Sequence, residues 1–116
     1  MTTATADSDP VFAAIAEFRA AEAAYADASE GEAETAAYVR LLRAVKGLNV
    51  APTTRMGAAA LLRFVVANYD NAGSPYLWRG KWAVNPEDPH SRDVAWISSV
   101  EDILETVAVA LEGMPR

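Results

Sequence analysis

Cysteine is absent from this chain of 116 residues, and histidine occurs once, at His90. The first absence excludes a disulfide framework, thiolate zinc sites and a cysteine nucleophile, and the second removes multi-histidine metal sites. Long apolar runs are also missing. The longest largely apolar stretch, residues 56–67, is interrupted by Arg63 and falls well short of the roughly 20 residues that a membrane span requires. The opening MTTATADSD has neither the basic start nor the apolar centre of a secretory signal, so a cytoplasmic location and no membrane association are expected. Basic residues are scarce, with 10 Lys and Arg against 16 Asp and Glu and a net charge of −6. The sum is −7 over residues 1–38, +4 over 39–100 and −3 over 101–116. Such a chain repels a phosphate backbone, and its positive middle is too sparse for a basic stripe, so no direct nucleic-acid binding is expected.

What is abundant is alanine, 25 of the 116 residues. Alanine adds little transfer free energy on burial but the best helix propensity, so a helical protein is implied. The length suits one hydrophobic core without staples. Residues 1–8 lack an apolar anchor and read as a disordered tail, which leaves 9–116 as a single helical domain.

Four segments carry helical periodicity. Asp9 and Pro10 supply an N-cap and a first-turn proline, and Val11, Ile15, Phe18, Ala21 and Tyr25, with Phe12 alongside, form an apolar stripe over about 10–29. Ser29, Glu30 and Gly31 either break it or form a tight bend before a second helix. A second helix over 32–48 presents Tyr38, Leu41, Leu42, Val45 and Leu48, with Arg40, Arg43 and Lys46 toward its C-terminus. Pro52 ends the connection, and Thr53 or Thr54 caps a third helix over 53–69 whose apolar residues cover nearly its whole circumference. That pattern predicts a central, buried element, with Gly57 and the alanines at 58–60 letting neighbouring helices approach. A fourth helix over 92–112 carries Trp96, Ile97, Val100, Ile103, Leu104, Val107 and Leu111. Leu62, Val65, Ile103, Leu104 and Val107 are expected to be buried together. The fold class is therefore all-α, a small four-helix bundle built on an antiparallel helical hairpin, with one aromatic-rich loop between the third and fourth helices. Within that loop, a small hairpin turning at Arg79-Gly80 is an option.

Two stretches, DPVFAAI from Asp9 to Ile15 and PTTRMGAAALLRF from Pro52 to Phe64, carry a resemblance. They resemble a group of small alphaproteobacterial proteins of unknown function, whose members open on DPxFAAI and later carry PTTLAGxAALLRY. The chain departs from that pattern at Arg55-Met56 and at Phe64, and its stretch 74–90 has no counterpart in the group. The resemblance covers about half of the chain. It implies a helical fold and brings no activity, cofactor or catalytic residue.

The residues nominate no catalytic set. His90 stands near Glu87, Asp88 and Asp93, but not at zinc-ligand or calcium-loop spacing. Pairing His90 with Ser91, Ser98 or Ser99 would lack a nucleophile elbow. Neither metal nor cofactor is expected, and the chain reads as a non-enzyme. The strongest signal outside the core is Tyr76, Trp78, Arg79, Lys81 and Trp82, because Trp, Tyr and Arg dominate interface hot spots. Packing of those rings over the core competes with a role in binding another protein. A homodimer is expected through Val11, Phe12, Ile15, Phe18 and Tyr25, whose stripe is too sparse to enclose a core alone. The leading expectation is thus a helical protein–protein interaction module. The alternative is an acidic inhibitor or nucleic-acid mimic of mobile-element type, with Glu17, Glu22, Asp27, Glu30, Glu32 and Glu34 imitating phosphates.

Overall fold

A computed structural model describes residues 8–68, 82–84, 95–97 and 100–115. Helix α1 (Pro10–Asp27) begins where Asp9, in extended conformation, places its carboxylate on the Val11 amide and Pro10 presets the first turn. Val11, Ile15, Phe18 and Ala21 recur every three or four residues and form its buried face. The chain then reverses through Gly31, whose φ of +96° lies in a region that side chains with a Cβ rarely enter. Helix α2 (Glu32–Gly47) carries Glu32 and Glu34 in its first turn and Lys46 in its last, each complementing the helix dipole. Its buried face is Leu41, Leu42, Ala44 and Val45, continued by Leu48.

Helices α1 and α2 pack as an antiparallel hairpin. Two contacts set its register: Arg40 reaches both carboxylate oxygens of Glu17 at 2.8 and 2.9 Å, and the Tyr25 and Tyr38 rings lie 5.4 Å apart. Helix α3 (Arg55–Asn68) packs on α1, and helix α4 (Val100–Glu112) packs on α3. The Arg55 guanidinium donates to the Pro115 carbonyl, so the start of α3 lies beside the chain just beyond α4. One core joins all four helices, with Phe18 meeting Phe64 edge-on at 5.4 Å among Val11, Leu41, Val45, Leu61, Ile103 and Val107. The fold is all-α, as expected. Among the described residues its strand content is one short antiparallel pair, β1 (Trp82–Val84) with β2 (Ala95–Ile97), in which Ala83 is registered with Trp96.

Three expectations need correction. Helix α4 starts at Val100 and not near residue 92, because Ala95, Trp96 and Ile97 pair with β1; the apolar run through Trp96 and Ile97 belongs to the strand. Helix α3 is not enclosed all round: Met56 is 64% and Val66 76% exposed, and its main neighbours among the described residues are α1 and α4. Of the five residues expected to share one core, Val65, Ile103 and Val107 are buried, Leu62 is half-buried and Leu104 is 42% exposed. Ile103 and Leu104 are neighbours, and roughly 100° of helical rotation per residue allows only one of them to face inward.

Candidate functional site

The two motifs DPVFAAI and PTTRMGAAALLRF meet at a single carboxylate. Asp9 is 1% exposed, and its Oδ1 accepts from the Val11 amide at 3.0 Å, which caps α1. Its Oδ2 accepts from the amides of Thr53 and Thr54 at 3.0 and 2.8 Å and from the Thr54 hydroxyl at 2.7 Å. The Thr54 hydroxyl oxygen in turn accepts from the Gly57 amide at 2.9 Å, and the Thr54 carbonyl takes the first helical bond from Ala58. One side chain thereby organises two helix N-termini that are more than forty residues apart in sequence. Gly57 is what makes the approach feasible, because a Cβ there would overlap the Asp9 carboxylate.

Desolvation on burial pushes the Asp9 carboxyl upward, but the hydrogen bonds from Val11, Thr54 and Thr53 outweigh it and hold the group below its ordinary value. Both oxygens are occupied by donors that belong to the fold. The carboxylate, buried and bonded to backbone and hydroxyl donors at both oxygens, is therefore a structural latch.

Beside this latch, α1 and α3 leave an open groove of about 430 Å³. Helix α1 contributes Phe12, Ile15, Ala16 and Arg19, and α3 contributes Ala60, Arg63, Phe64, Ala67 and Asn68. The Arg19 guanidinium carbon lies 5.5 Å from the Phe64 ring centre, a cation–π arrangement that orients the charge over the groove wall. The Asn68 amide group donates to the Phe64 carbonyl at 2.8 Å.

The residues singled out for self-association do not form a free surface. Val11, Ile15 and Phe18 are buried within the protomer against α2 and α3, while Phe12 and Tyr25 are half-buried, the first lining the groove and the second against Tyr38. Most of this stripe is covered within the protomer by the hairpin and α3. Of the loop residues, Tyr76, Trp78, Arg79 and Lys81 lie outside the described residues, and Trp82 opens β1. His90, Glu87, Asp88, Asp93, Ser91, Ser98 and Ser99 also lie outside them.

Among the acids, Glu17 is paired with Arg40, whose guanidinium holds its carboxyl below the ordinary value, and Glu22 is half-buried. Asp27, Glu30, Glu32 and Glu34 are exposed around the α1–α2 turn. Among the described residues no cluster of three metal-ligating side chains occurs, and no helix is long and apolar enough to cross a membrane.

Sequence reasoning did not anticipate one exposed apolar surface. The buried arc of α3 centres on Leu61; Ala60, Arg63 and Ala67 lie on its flank toward α1, so Leu62 and Val66 lie on the flank toward α4. On α4, Thr106 bonds Asn49 beyond the end of α2, and Leu104 and Leu111 occupy the other flank of the buried arc. Val66, Leu104 and Leu111 are 76, 42 and 40% exposed.

Comparison with protein-family models, with curated proteins and with solved structures finds no match for this chain.

Proposed function

We propose that this protein is a non-enzymatic helical interaction module that pairs with a second copy of itself through the outer seam of α3 and α4. The observation that carries the reading is the set of large apolar side chains exposed on α3 and α4, Val66, Leu104 and Leu111 among them, while the stripes of α1 and α2 are buried in the core. Grouped apolar side chains at that exposure mark association surfaces more often than scattered single ones do.

The deeply buried carboxylate among the described residues is occupied as a double cap and favours no reaction. The residues Tyr76, Trp78, Arg79, Lys81 and Trp82 remain a proposed contact for a different protein. Sedimentation equilibrium tests the main reading: a species of twice the 12.4 kDa chain mass is expected at micromolar concentration. A lone monomer at high micromolar concentration would overturn it.

A further inference from the structure

We infer that the groove between α1 and α3 is a binding site for a small apolar monocarboxylate, held by Arg19 and Arg63. Residues 1–38 contain eight acids and a single base, and that base, Arg19, stands at this groove. Arg63, one of only two bases on α3, stands opposite it. No acidic side chain lines the groove, and among the described residues neither guanidinium has a carboxylate partner. In a chain of net charge −6, two cations left without a carboxylate partner across an apolar floor create a local positive potential that favours an anion.

The rest of the lining selects the body of the ligand. Phe12, Ile15 and Phe64 give an apolar wall, and Ala16 and Ala60 keep the floor low enough for close approach. The Arg19–Phe64 stacking holds one guanidinium in a defined position, which reduces the ordering cost of a charge-assisted hydrogen bond. A volume of about 430 Å³ accommodates on the order of a dozen heavy atoms at roughly 30 Å³ each, the liquid-volume share of a water-sized group. A medium-chain alkyl carboxylate has that size, that single charge and that apolar body.

The inference is independent of self-pairing at the α3–α4 seam, which lies on the opposite flank of α3. It is tested by titrating decanoate into the ¹⁵N-labelled full chain, with decan-1-ol as the uncharged control. Saturable shifts confined to the facing turns of α1 and α3 are expected, with the alcohol binding about tenfold more weakly. Arg19→Gln and Arg63→Gln should each weaken decanoate binding about five- to tenfold, and the double variant should bind decanoate and decanol alike. Both positions are exposed, so neither change endangers the fold. Ala16→Leu should block the groove for both probes. Equal affinity of the two probes for the natural protein would overturn the inference, as would absence of saturation at millimolar decanoate. Shifts centred on the α3–α4 seam, or shifts that follow protein concentration and not decanoate, would also overturn it.

Discussion

Removing the Asp9 carboxylate strips partners from the amides of Val11, Thr53 and Thr54 at once. With each cap worth about 0.5–2 kcal/mol, Asp9→Ala should lower unfolding free energy by about 1–4 kcal/mol, measured by urea denaturation. A loss no larger than that of an exposed-site control would show that the two helix starts do not depend on the latch. Because folding lowers the Asp9 pKa, the ionised group contributes its stability above the ordinary carboxyl value of 3.8 and loses it as the pH falls through the lower folded value. The stability difference between the natural protein and Asp9→Asn should therefore be widest above about pH 5 and should shrink steadily in more acidic solution. Gly57→Ala tests the same contact from the other side. The added methyl must displace a buried carboxylate, so its cost should exceed the gain of about 0.5–1 kcal/mol that Gly→Ala ordinarily brings to a helix interior.

At the scale of elements, the capped starts of α1 and α3 and the α1–α2 pairing were legible, and the remaining neighbours were not. Asp9-Pro10 and Thr53-Thr54 announce two N-termini in the sequence, because capping is local chemistry between residues two or three apart. That one carboxylate serves both ends is a contact across forty-five residues, and no periodicity encodes it. Gly57 was read as a place where helices approach; what approaches is a side chain. The α1–α2 hairpin was legible from Gly31 and the two stripes. The start of α4 was not, because Trp96 and Ile97 extend its apolar pattern yet suit a strand equally well. The exposed flank of α3 was illegible for a different reason: a helix apolar all round does not say which neighbours it lacks. The positions on α3 and α4 give a contrast that urea denaturation can check. Leu61→Ala empties a fully buried site and should cost about 2–5 kcal/mol. Leu104→Ala, at an exposed site, should stay within about 0.5 kcal/mol for the monomer.

For the whole molecule, the core takes up one apolar surface of the sequence and leaves part of another exposed. The stripe on α1 looked too sparse to enclose a core, but α2 and α3 both close on it, and Phe18 ends at 1% exposure against Phe64. Leu104 and Val66 looked like core and stand outside. Two substitutions to aspartate therefore separate folding from association. Phe18→Asp buries an unpaired carboxylate inside the protomer, at a cost of several kcal/mol against a typical domain stability of about 5–15 kcal/mol, and should unfold most of the population. Leu104→Asp places the same charge where it remains hydrated in a monomer and becomes desolvated only in a seam-to-seam dimer. Its circular dichroism and urea midpoint under dilute, monomeric conditions should match those of the natural protein, while its sedimentation mass at high micromolar concentration should fall to that of one 12.4 kDa chain. Should Leu104→Asp sediment as a dimer, the pairing surface is not the α3–α4 seam. Should it lose its helical signal while monomeric, Leu104 contributes to the core in solution and the seam is closed.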